Sequence, residues 1–356
     1  MATRRSGASQ IARLPMMALK SPLWLAGVAG TDKSFADNPI IGSPTLNRWG
    51  LHVQRLKIAA RLADARRRRL APAVAPEHRE AFDRDGVVVI RDFMPADAFA
   101  ALKEAIAART FEAREMRQGK AVERMIPLGT RLLGELPEAR RYVDDPRLKP
   151  LIHYAGSRTG EPIFYLQTVI VDPTQGRADP QTSFHTDTFH STTKAWFFLS
   201  DVGEDDGPFT YVPGSHKLTP QRLAWEYEQS LSASTVENRH HAVGSFRISE
   251  AELERIGCRK PVKMAVPANT LVVGDTHGFH ARGPSVRPSA RPVIHAYMRR
   301  NPFLPWTGLD PLELPGVRGR VLDLYLGFLD GQERLTGRRN AWRPVGAVRL
   351  DAPATI

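Results

Sequence analysis

A single cysteine, Cys258, stands among 356 residues. That excludes an internal disulfide and a zinc site built on several thiolates, and it fits a reducing compartment. Long apolar runs are also missing, and none approaches the ~18 residues that a membrane-spanning helix needs. Arg4-Arg5 followed by Ile11 to Gly30 loosely imitates a secretory signal. Pro15, Lys20 and Pro22 interrupt it and no clean cleavage context follows, so a cytoplasmic protein is expected. Acidic residues fall short of basic ones, 38 against 50, leaving a formal charge of +12. The shortfall is local. Residues 1–80 hold 14 Lys and Arg against five acids, which accounts for nine of the twelve excess charges.

Residues 1–44 are rich in Ser, Gly, Pro and basic side chains and read as a loosely ordered leader. From Leu46 to Leu70 the pattern turns helical, with Trp49, Val53, Leu56, Ala60 and Ala63 at spacings of three and four. Arg66 to Arg69 close it, where positive charge complements the helix dipole. Residues 71–76, Ala-Pro-Ala-Val-Ala-Pro, read as a linker. Residues 1–75 are therefore expected to be a basic extension with an amphipathic helix over about 46–70. Such a helix either packs on the folded domain with a solvated charged face or associates peripherally with an anionic membrane surface. No zinc finger, RNP or basic-zipper pattern points to nucleic acid.

The folded domain is expected over 76–305. Asp85-Gly86 leads into a strand Val87–Ile90, and Pro95 opens a helix carrying Phe99, Leu102 and Ile106. Beyond Pro150 come short β-type runs at 163–171, 183–189, 195–202, 209–212, 270–273 and 292–298, punctuated by Gly and Pro turns. This predicts a mainly β fold with flanking helices, a sandwich or jelly roll, and not a parallel sheet. Helices from 95–150 are expected to buttress it. Residues 218–258 read as a helical insertion over one end, either an ordered wall or a lid, and 306–356 as a tail packed on the core.

The most informative motif is His185-Thr186-Asp187. Residues i and i+2 of a strand share a face, so this pair can converge on one ion. A distant third ligand would complete a two-histidine, one-carboxylate face, which leaves positions open on iron(II). His277, His280 and His295 compete for that role. Arg291 suits bidentate capture of a carboxylate, although it could equally be one surface arginine among Arg282, Arg287, Arg299 and Arg300.

Taken together, residues 80–300 resemble the phytanoyl-CoA dioxygenase family of iron(II)/2-oxoglutarate oxygenases. The likeness rests on the Phe82 to Ile90 opening strand, His185-Thr186-Asp187, Trp196, Asp206-Gly207, Val212 to Lys217, and His280 followed eleven positions later by Arg291. It implies a double-stranded β-helix, a jelly-roll or cupin-like core. It implies Fe(II) held by His185, Asp187 and His280, with His277 as the rival third ligand. It also implies 2-oxoglutarate clamped by Arg291 and O2 as the oxidant, with Thr168, Gln167 and Trp196 placed to touch the cosubstrate. Core packing is the plainer role for Trp196. Arg282 departs from members that carry a small hydroxyl residue two places after the distal histidine.

Asp187 retains the carboxylate that related halogenases lack, so the resemblance implies hydroxylation of an unactivated C–H bond, with release of succinate and CO2. Thr188 and His190 are candidates for the substrate side, and His216 reads as a turn-stabilising group. The substrate class is left as a small molecule or lipid-like compound, and the oligomeric state stays open. Two other uses of the chain compete with the oxygenase. One is a catalytically silent β-barrel that binds a small molecule or glycan, and the other is a membrane-surface protein acting through its basic helix.

Overall fold

The computed structural model describes residues 22–356. The leader and signal-like stretch expected at the start therefore lie outside the described residues up to position 21. Eleven strands carry the fold: β1 (Val87–Ile90), β2 (Phe111–Gln118), β3 (Ala121–Pro127), β4 (Ile163–Val171), β5 (Thr193–Phe198), β6 (Phe209–Tyr211), β7 (Val262–Lys263), β8 (Thr270–Asp275), β9 (His280–Arg282), β10 (Ser289–Met298) and β11 (Arg343–Val348). Eight form an antiparallel sheet in the order β1-β8-β5-β10-β4-β3-β2-β11, and three form a small sheet, β7-β6-β9. Isolated pairings of His185 with His280 and with Arg247 prolong the small sheet. The two sheets face one another as the halves of a double-stranded β-helix.

Period-two alternation decides what each face of the large sheet meets. Ala195 and Phe197 of β5, Leu271 and Val273 of β8, and Ile294 and Ala296 of β10 point to one side. There they join Leu102, Ile106, Tyr142, Leu148 and Ile152 from helices at Ala96–Ala107, Pro137–Val143 and Leu148–Gly156. Tyr142 stacks on Phe197 at 4.4 Å. Each such side chain, fully withdrawn from water, contributes roughly 1.5–3 kcal/mol. The opposite face, with Phe198, Val272 and Val293, meets Phe209 and Tyr211 of β6 and leaves a cavity between the sheets.

Three expectations need correction. Residues 111–127 are not helical but form the β2–β3 hairpin that extends the sheet, since Glu and Arg alternate there with buried apolar positions. Residues 183–189 form no regular strand and make only the two isolated bridges of His185, with His280 and with Arg247.

The third concerns the face that the basic helix, Leu51–Leu70, buries where it packs on the folded domain. Its buried stripe is His52, Arg55, Leu56, Ala59, Ala63 and Arg66, while Trp49, expected inward, is 79% exposed. Apolar periodicity misplaced the face because the helix buries arginines whose donors are fully used. Arg55 donates to the carbonyls of Val28 and Asp32, Arg66 to those of Ser157, Pro302 and Leu304, and Arg67 pairs with Asp275 at 3.0 Å.

The 218–258 insertion is packed against the rest of the fold. Trp225 of its helix Pro220–Ser232 packs with Phe246 and Phe279, and Glu226 meets both Arg222 and His52. The tail contributes β11, and Arg124 holds it by donating to the carbonyls of Arg349, Leu350, Ala352 and Pro353. Among the described residues no helix is long and apolar enough to cross a membrane.

Candidate metal and cosubstrate site

His185 sits at the edge of the small sheet, and His280 opens β9 beside it. Each backbone N–H donates to the other's carbonyl, at 2.9 and 3.0 Å. Two residues on, the Asp187 N–H donates to the Thr276 carbonyl, so both strands of the motif are tied to the turn between β8 and β9. One ligand atom from each of His185, Asp187 and His280 falls within 4.8 Å of the others. Nδ1 of His185 faces the Ser183 carbonyl at 2.8 Å, and Nδ1 of His280 faces that of Gly278 at 2.9 Å. A carbonyl only accepts, so each Nδ1 carries the proton and each Nε2 presents its lone pair to the shared space. Burial holds the His185 imidazole well below its usual pKa, and therefore neutral.

Asp187 Oδ1 faces both histidines, at 4.0 and 3.7 Å, while Oδ2 pairs with Lys194 at 2.7 Å. Burial opposes ionisation of this carboxyl, but Lys194 and His280 override it and hold it well below the usual carboxylate range. Two imidazole Nε2 atoms and one carboxylate suit a divalent transition metal.

The triad lies at one end of a cavity of about 240 Å³ that Arg291 also lines. Arg291 is 8% exposed, and its Nε and one terminal nitrogen have no partner. Burial, with Arg282 alongside, pushes its guanidinium below the usual arginine value. A buried cation left unmatched is costly, and a bidentate carboxylate would match it. The residues present therefore fit a metal ion and a 2-oxo diacid.

Of the other expected contacts, Gln167 and Trp196 line this cavity, with Trp196 tilted against Phe209 at 4.2 Å. Thr168 does not. It points to the other face of β4 and donates its hydroxyl to the Leu350 carbonyl at 2.7 Å, because neighbouring strand residues alternate sides. Arg282, whose presence is unusual, is matched by Glu123 and Asp179 at 2.5 and 2.6 Å.

His277 turns away, its Nδ1 on the Thr188 carbonyl, into a second cavity of about 740 Å³ shared with His190, His216 and Asp275. Burial depresses His190 and His216 to about 3. Lys194 and Tyr165, which the sequence reading leaves out, also face the triad's cavity, and so does His295, a competitor for the third ligand, which stacks on Tyr165 at 4.5 Å and is not one of the three clustered ligands. Lys194 was open to the same two-residue periodicity that places Trp196 inside.

The phytanoyl-CoA dioxygenase (PhyH) family matches the chain over residues 82–273, more than half of its length. The chain belongs to that family. His280 and Arg291 lie beyond the matched span, so their place in this PhyH family member stands on geometry. The chain is similar to several solved structures. One is the epimerase SnoN with Fe3+, alpha ketoglutarate and nogalamycin RO, at 21% identity, 67% of this chain, 94% of that one and a TM-score of 0.41. Another is HygX from Streptomyces hygroscopicus with nickel and 2-oxoglutarate, at 16%, 64%, 87% and 0.41. A third is EctD from S. alaskensis with bound Fe, at 16%, 63%, 76% and 0.39. No curated protein matches the chain.

Proposed function

We propose that this chain binds iron(II) and 2-oxoglutarate and uses them with O2 to hydroxylate an unactivated C–H bond of a small-molecule or lipid-type substrate, releasing succinate and CO2. One observation carries the reading: the partnerless guanidinium of Arg291 lies in the same enclosed cavity as the His185–Asp187–His280 cluster. A site that only held a metal would not need a buried, unmatched cation beside it.

His185 and His280 would hold the ion through Nε2, their tautomers fixed by the Ser183 and Gly278 carbonyls. Asp187 would supply Oδ1, while Lys194 occupies Oδ2 and keeps the carboxylate from rotating. Arg291 would receive the far carboxylate of the diacid, between Gln167 and the face of Trp196. The bound ion and its cosubstrate supply the activation of O2, and the chain's share is orientation and exclusion of water.

The test is release of succinate from 2-oxoglutarate by the iron-loaded protein in the absence of any substrate. Wild type should turn over slowly, and Asp187→Ala should fall to background. Equal release by both would remove the proposed role of Asp187.

A further inference from the structure

Three cationic side chains gather around Asp187 and a fourth, Arg299, lies beside one of them, although the resemblance gives none of them a role. Lys33, from the segment ahead of the basic helix, donates its ammonium to the Asp187 carbonyl oxygen. Lys194 pairs with the carboxylate of the same residue. Arg247 is the backbone partner of His185 on the side away from His280, and one of its terminal nitrogens is buried without a partner. Arg299 follows the end of β10, donates to the Thr31 carbonyl at 2.5 Å, and leaves its own Nε buried and unmatched.

The acids that could answer these charges are engaged elsewhere. Asp179 is matched by Arg282 at 2.6 Å, and Glu123 by the same arginine. The Asp32 carboxylate, next to Lys33 in sequence, accepts from the Ser34 N–H and the Asn38 side chain. Asp187 is therefore the one acid whose backbone or side chain Lys33 and Lys194 contact, and it lies beside Arg247 as well.

A metal dication on the triad would add to the positive excess. The carboxylates of 2-oxoglutarate would be taken up at the ion and at Arg291. Lys33, Arg247 and Arg299 would still lack a counterion, and partly buried cations are retained at such a cost where a ligand supplies the missing charge. We infer that the substrate carries an anionic group, a carboxylate or phosphate, which Lys33, Arg247 and Arg299 bind beside the metal triad. Such an anchor would set a nearby carbon over the reacting face and select against neutral compounds. It is also a reason for residues 22–42 to be packed against the catalytic unit.

This inference rests on the oxygenase reading for its meaning, but its test does not. The full-length protein, loaded with nickel(II) and 2-oxoglutarate, is titrated calorimetrically with inorganic phosphate and separately with acetate. Lys33→Met, Arg247→Met and Arg299→Met are run alongside. The side chains of Arg247 and Arg299 make no hydrogen bond to Asp187, so those two variants guard against a fold defect in the first.

Wild type should bind at least one of the two anions, and each variant should weaken it about tenfold, the loss of one charge-assisted hydrogen bond. The anion that binds tells phosphate from carboxylate. Absence of binding to wild type, or equal binding by wild type and all three variants, overturns the inference. Failure of nickel and 2-oxoglutarate to bind would instead strike the oxygenase reading, and phosphate titration of the metal-free protein would still report on the cluster.

Discussion

His185 and His280 are a directly paired couple, each backbone N–H donating to the other's carbonyl, with imidazole centroids 4.5 Å apart. The spacing of the two nitrogen ligands is thus set by a backbone ladder, not by side-chain packing alone. Gly278 keeps that ladder in place. A Cβ there would lie 2.0 Å from the Tyr211 hydroxyl oxygen, which itself donates to the Asp275 carbonyl. Gly278→Ala should therefore displace the turn before His280, lower stability by about 2 kcal/mol and weaken metal binding about tenfold or more. Thermal unfolding and nickel(II) calorimetry check both.

Arg66 ties the basic helix to two distant loops by donating to Ser157, Pro302 and Leu304. Arg66→Met leaves those carbonyls unpaired in the interior and should cost about 3 kcal/mol. Deletion of residues 1–75 should be worse, because it uncovers Phe189 and leaves Asp275 without Arg67. A truncated chain with unchanged melting temperature would show that the helix is an independent appendage.

Glu226 is buried between Arg222 and His52. Burial opposes its ionisation, yet Arg222 and then His52 hold the carboxyl down at about 2. A carboxyl depressed in the folded state stabilises above its unfolded pKa of about 4.3, and that contribution is lost as pH falls toward about 2. The melting temperature should therefore drop between about pH 4.5 and pH 2. Glu226→Gln should be less stable at neutral pH and show a flatter acid limb.

Lys194 occupies the second oxygen of Asp187. Lys194→Met frees that carboxylate to rotate and raises its pKa, so metal affinity should fall, and fall further as pH is lowered from 7 to 5.5. Equal pH dependence in the variant and wild type would leave Lys194 without an orienting role.

The chemistry was more legible in the sequence than the packing. His185 and Asp187 are two residues apart and approach one point although residues 183–189 form no regular strand, and Arg291 is singled out from the other arginines only by the family resemblance. Strand alternation admits only one of Gln167 and Thr168 to the cavity, and the choice depends on the register of β4 with β3 and β10, which local sequence does not state. Lys194 could have been found two residues before Trp196. Lys33 could not, since 154 positions separate it from Asp187 and no periodicity links them. The basic helix misled for a physical reason: Arg55 and Arg66 are buried and donate to backbone carbonyls, whereas charge runs ordinarily mark solvated surface.

The central claim, that one cavity holds both a metal and a 2-oxo diacid, is tested most directly by anaerobic titration. The apo-protein would receive iron(II) and then 2-oxoglutarate while the metal-to-2-oxo-acid charge-transfer absorption is followed. Wild type should develop the band, and Asp187→Ala should not. Arg291→Ala should need on the order of tenfold to a hundredfold more cosubstrate to reach it. A wild-type protein that binds neither iron nor 2-oxoglutarate, or an Arg291→Ala variant that saturates like wild type, would contradict the account.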